Sequence, residues 1–174
     1  MFAAHLFAGY LCSRQYLHKI KNKLINSTHL KYYIAFGIFC SVLPDFDLLY
    51  FYTIDNQQHL HHTYWTHIPI FWVVAVGLFY SVSRWFFKKH FGVLSLILLM
   101  NTWLHLILDT VAGGIYWLYP LSDINVQLMH ITARYNWWVL NYIFHWTFFL
   151  EICIMLTSVI IYRKDRKILR MLAH

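Results

Sequence analysis

Four stretches of the chain come close to the roughly 20 apolar residues that a helix needs to cross a bilayer: 32–52, 66–83, 91–109 and 138–162. A fifth, from Phe2 to Leu17, is apolar but short and is interrupted by His5, Ser13 and Arg14, so it reads as a tilted or partly inserted helix packed on the others. Between them lie a basic connector (His18 to Lys31), a histidine-rich one (Thr53 to Trp65), a short basic turn (Arg84 to His90) and a longer connector (Thr110 to Trp137). The pattern predicts an all-α protein, an integral membrane bundle of four to five transmembrane helices, with residues 1–174 forming a single membrane-embedded domain.

Composition supports a lipid solvent. Of 174 residues, 60% are hydrophobic, 20% aromatic and only 12% charged, too few charges to build the polar shell of a soluble domain of this size. The same numbers exclude a disordered or collagen-like chain. Cys12, Cys40 and Cys153 are far apart in apolar surroundings, which indicates neither a disulfide framework nor a cysteine zinc site. The opening segment lacks the basic start of a secretory signal and carries His5 in its apolar run, so it is expected to stay in the mature chain.

Charge supplies a topology. If the first segment crosses, the connectors alternate sides, and every lysine and arginine except Arg134 falls on one side. The positive-inside rule makes that side the cytoplasm, with the C-terminus there and the N-terminus outside. The net charge of +7 is then a flanking signal rather than a nucleic-acid footprint, and no nucleic-acid partner is expected.

With that topology, ionisable residues from every part of the chain gather toward the outer face. Such groups are costly in hydrocarbon and are expected to face the bundle interior, paired or metal-bound. His105 and Asp109 stand four apart in an apolar run, stacked on one helical face as a divalent metal requires of two ligands from one element. Pro44 interrupts its helix and turns Asp45 and Asp47 toward the same region, where two carboxylates repel each other unless one is protonated or a cation lies between them. One of the two could instead cap a new helix.

The run His59-Leu-His61-His62-Thr-Tyr-Trp-Thr-His67 supplies several imidazoles, with Thr63 or Thr66 as orienting partners. His62 and His67 are read as ligands, His59 and His61 as solvated or facing substrate. In the last stretch His145 is read as a further ligand. Glu151, the chain's only glutamate, is read as a ligand, a general base or a polar contact of the bundle. His5 completes the expected metal set of His5, Asp45, Asp47, His62, His67, His105, Asp109 and His145, with Asp47 and Glu151 as the catalytic carboxylates.

The order of these motifs resembles the bacterial membrane-bound metal-dependent hydrolases of the YdjM type. The residues carrying the resemblance are His5, Pro44-Asp45-Phe46-Asp47, His62-Thr-Tyr-Trp-Thr66-His67, His105-Leu-Ile-Leu-Asp109, Gly113-Gly114 and Trp117-Leu-Tyr-Pro120-Leu121, spanning about residues 3–122. That family is in turn distantly similar to zinc-dependent phospholipase C and to zinc-dependent single-strand nucleases, all-helical enzymes that hydrolyse phosphoesters. The chain departs from the family pattern at Thr63-Tyr64, where Arg-Gly is usual, and at Ile68, where Ser is usual; an arginine there would be a natural clamp for phosphate.

The resulting expectation is a multi-pass protein of the bacterial inner membrane. It binds a divalent metal, zinc or else manganese, near the extracytoplasmic face and hydrolyses a lipid-borne ester or phosphoester, with membrane lipid as its partner. Two rivals belong to other classes. A non-haem di-iron desaturase or hydroxylase also uses histidine boxes, but needs several, usually on the cytoplasmic side. A divalent-metal or proton transporter needs a polar route on to the inner face, which spans 66–83 and 91–109 hardly provide.

Overall fold

The structure is a computed structural model and describes residues 3–24, 27–59, 61–86 and 91–171. Seven α-helices follow in order among these residues: α1 (Ala4–Leu24), α2 (Ser27–Cys40), α3 (Asp47–Thr53), α4 (Pro69–Phe86), α5 (Phe91–Ala112), α6 (Trp138–Ile143) and α7 (Thr147–Met171). The only β pairing among them is an isolated bridge between Ile115 and Val126 that pinches the loop after α5. Lys88, Lys89 and His90 of the expected basic turn lie outside the described residues.

α5 is the central post. Its buried positions, among them Ile97, Leu98, Asn101, Thr102, His105, Leu106 and Asp109, recur at three- and four-residue intervals and make one continuous face. α1, α2 and α4 pack on α5, and α7 packs on α1. One apolar core joins Cys40, Trp72, Val76, Leu98, Leu106 and Ile115; another joins Leu17, Tyr33, Val93 and Ile97.

Two polar devices fix the helices. Asn101 Nδ2 donates to Ser13 Oγ (3.0 Å) and to the Ile97 carbonyl (2.8 Å), where α1, α2 and α5 approach closely. A Cβ on Gly9 would lie 2.3 Å from Ser41 Oγ, and one on Gly37 would lie 1.8 Å from Ser13 Oγ, so both positions need glycine for this approach. Further along, Asp165 of α7 accepts from Arg14 Nη2 (2.7 Å) and the Tyr10 hydroxyl (3.0 Å), tying α7 to α1.

Pro44 marks the expected break. α2 ends at Cys40, Pro44–Phe46 form one 3-10 turn, and α3 leaves at 53° to α2. Of the four to five expected crossings, α5 is by itself long and apolar enough to cross a membrane, and the bent segment Leu30–Cys40 with Pro44–Thr53 qualifies as a pair. α4 is apolar over the shorter length Pro69–Trp85. The outward faces carry Leu78, Val82, Ile107, Leu156 and Ile160, apolar surface suited to lipid rather than water.

Candidate metal centre

The centre forms where the break after α2, the two 3-10 turns before α4 and the end of α5 meet. The helical repeat stacks His105 and Asp109 on the buried face of α5, with 2.9 Å between Nε2 and Oδ2. The Pro44–Phe46 turn brings in Asp45, whose Oδ1 lies 3.5 Å from His105 Nε2 and 3.8 Å from His67 Nε2. His67 ends the Trp65–His67 turn and completes the set, with its Nε2 3.6 Å from Asp109 Oδ2. One ligand atom from each of Asp45, His67, His105 and Asp109 lies within 4.8 Å of all the others.

The hydrogen bonds around these atoms indicate what the set can hold. His105 Nδ1 donates to the Ser41 carbonyl (2.7 Å) and His67 Nδ1 donates to Asp47 Oδ2 (2.8 Å), so each ring turns its Nε2 inward. Both Nε2 atoms are buried and make no aligned hydrogen bond, although carboxylate oxygens surround them. Lone pairs facing anionic oxygens repel unless a cation or a proton lies between them. Zinc bonds of about 2.0–2.2 Å to nitrogen and oxygen imply tetrahedral edges of about 3.3–3.6 Å, and the separations above bracket that range. The donor set therefore fits a divalent metal ion.

Supporting groups surround it. Asp47, at the start of α3, accepts from Thr66 Oγ1 (2.5 Å), His67 Nδ1 and His61 Nδ1 (3.0 Å). With its oxygens engaged in this way Asp47 orients imidazoles, the usual partnership of a carboxylate with a metal-bound histidine. His5 of α1 bonds Asp109 Oδ1 through Nε2 (3.0 Å) and stacks on His105, with ring centroids 3.8 Å apart and planes at 16°. On the open side, His61 Nε2 lies 3.6 Å from Asp45 and His62 Nε2 lies 3.7 Å from Asp109. The side chains of His67 and His105 are fully buried, whereas those of Asp45, His61 and His62 are 17%, 20% and 27% exposed, which places the mouth of the centre at these three. Loss of hydration pushes the His62 imidazole down to about 3, so it is neutral at pH 7 and offers a lone pair. A Cβ on Gly113 would stand 2.2 Å from His62 Cε1, so only glycine leaves room for this ring.

The remaining candidates lie elsewhere. His145 sits before the first turn of α7, bonded through Nδ1 to Thr147 Oγ1 (2.9 Å), and is not among the residues that converge on the centre. Glu151 is fully buried and its Oε2 accepts from the Ala3 and Ala4 amides (2.8 and 3.0 Å), capping α1 just before His5. His59 is exposed and pairs with Asp55 (2.7 Å). His61, read from sequence as solvated or facing substrate, joins His62 and His67 in a second group able to hold a metal. No spacing rule would have singled it out from His59, because its contact with Asp47 spans two elements.

A helical bundle with lipid-suited outer faces and a buried histidine–aspartate cluster is a membrane protein with a site able to bind a metal ion. The sequence model of the YdjM inner membrane protein family matches residues 1–173, and the chain belongs to that family. No curated protein and no solved structure matches the chain.

Proposed function

We propose that this protein is a metal-dependent hydrolase that cleaves a lipid-borne ester or phosphoester at the extracytoplasmic face of the inner membrane. The observation that carries this reading is the convergence of Asp45, His67, His105 and Asp109 beneath a partly open rim of histidines. These four residues would hold the ion, zinc or else manganese, which supplies Lewis acidity and lowers the pKa of a bound water. In the same reading the chain crosses the membrane four or five times and leaves its C-terminus in the cytoplasm, as its basic residues favour.

His61 is the group placed to take a proton. Its Nδ1 donates to Asp47, which leaves Nε2 as the acceptor, and the ring is open to the mouth of the centre. Asp47 thus acts through His61 as a positioning residue and holds His67 by its other oxygen. His5 and the Ser41 carbonyl keep Asp109 and His105 in register from the buried side.

The test is release of fatty acid, or of a phosphomonoester from the headgroup diester, from short-chain phospholipids by purified protein loaded with zinc or manganese. The wild type is expected to turn over. His61→Ala is expected to lose about 100-fold or more in rate while keeping its metal. Metal-loaded wild type without hydrolysis of any ester or phosphoester would overturn the reading.

A further inference from the structure

A cavity of about 330 Å³ lies apart from the metal-capable cluster, between the 132–135 loop, α6 and the start of α7. Arg134, His145 and Thr132 supply its polar lining, and Tyr135, Phe144 and Trp146 supply aromatic walls. The backbone here is held in place: Asn141 Oδ1 accepts from the amides of Arg134 and Tyr135 (both 2.7 Å), and Asn141 Nδ2 donates to the Tyr135 carbonyl (2.8 Å). Among the described residues no carboxylate forms an ion pair with Arg134. Its guanidinium therefore presents a fork of five N–H donors with no anionic partner of its own.

His145 adds an imidazole. Its Nδ1 is engaged by Thr147, through the hydroxyl at 2.9 Å and the amide at 3.4 Å, which leaves Nε2 as the nitrogen free to meet a ligand. A guanidinium, an imidazole and a hydroxyl-bearing residue lining one cavity suit a tetrahedral oxyanion, and aromatic walls beside them suit the apolar part of a larger molecule. The rings of Phe144 and Trp146 are exposed, and tryptophan is a residue enriched at membrane–water boundaries. Arg134 is also the one basic residue that the charge asymmetry leaves on the outer side, so membrane topology gives no reason for it.

We propose that this cavity is a phosphate-binding site whose occupant is an amphiphile, with the phosphate on Arg134, His145 Nε2 and Thr132 and the acyl portion along the aromatic walls. A chain of contacts links the cavity to the metal-capable cluster. Glu151 stands about 6 Å along α7 from Thr147 and caps α1 beside His5, which in turn bonds Asp109. That the bound phosphate is the headgroup of the substrate rests on the hydrolase reading; the site itself does not.

The experiment is calorimetric titration of the purified full chain, in maltoside detergent, with dihexanoyl phosphatidylglycerol and separately with inorganic phosphate. Wild type is expected to bind the lipid saturably and inorganic phosphate at least about tenfold more weakly. Arg134→Ala is expected to weaken lipid binding about tenfold to 100-fold, and Arg134→Lys by less, because it keeps the charge and loses the fork. Equal lipid affinity in Arg134→Ala, or no saturable binding by wild type, would overturn the site. Equal affinities for lipid and inorganic phosphate would overturn the amphiphile assignment and identify a site for the free anion. Metal content read on the same samples keeps the two proposals separable: Arg134→Ala is expected to match wild type in metal, and a wild type that binds lipid but never metal sinks the hydrolase reading alone.

Discussion

Replacing Asp109 with asparagine is expected to weaken divalent-metal binding by about 100-fold or more while leaving a folded protein. Asp109 offers Oδ2 to the cluster beside His105 (2.9 Å), His67 (3.6 Å) and His62 (3.7 Å), and its Oδ1 holds His5. Asparagine keeps the shape and an acceptor but loses the charge, and partners that merely orient ligands already cost 10–100-fold in affinity when lost. Stability is expected to move in a diagnostic direction. In wild type, stripping the metal leaves Asp45 and Asp109 facing the same imidazoles without the cation that reconciles them, so chelator lowers the unfolding temperature. In Asp109→Asn the chelator is expected to change nothing. Thermal unfolding of both proteins with and without chelator measures this, and a chelator-insensitive wild type would contradict it.

Glu151→Ala is expected to be among the most destabilising single changes, by about 2–4 kcal/mol. It strips the acceptor from two amides at the start of α1, in a place that water does not reach readily. Because α1 carries His5 and docks on α5 and α7, the loss spreads to the packing of the bundle. Glu151→Gln is the informative companion, since its amide oxygen can still accept from Ala3 and Ala4. It is expected to unfold within a few degrees of wild type and to keep both metal and hydrolysis. A Glu151→Gln protein that is stable and metal-loaded but inactive would show that the carboxylate takes part in the chemistry, the role that sequence considerations also allowed it.

What the sequence conveyed follows from how local each feature is. His105 and Asp109 could be placed on one face because the helical repeat fixes them whatever packs around it. The break at Pro44 could be read because proline removes a backbone donor, and Asp45 and Asp47 do turn off the end of α2, although Leu43 before the proline keeps helical dihedrals (φ −60°, ψ −39°). Their division of labour was beyond the sequence. Asp45 points into the cluster and Asp47 holds His61, Thr66 and His67 from behind, an outcome set by where the turns before α4 happen to pack.

The histidine-rich segment was the least legible. Short 3-10 turns carry no periodicity long enough to say which ring faces inward, so His61 could not be told from His59. At the other end of the chain, His145 and Glu151 lie six residues apart. The structure separates them, one before the first turn of α7 and the other one turn in, against α1. The apolar stretches also look different in three dimensions. The apolar run 32–52 is two helices bent at 53°, and α7 extends its apolar stretch into the basic run that begins at Arg163.

The most direct test of the metal centre is elemental analysis of detergent-purified protein after dialysis, with wild type beside Asp45→Ala and His105→Ala. The predicted result is stoichiometric zinc or manganese in wild type and its loss in both variants, since the two residues converge from different elements on one cluster. Folded wild-type protein that holds no divalent metal, or that holds it undiminished in both variants, would contradict the account.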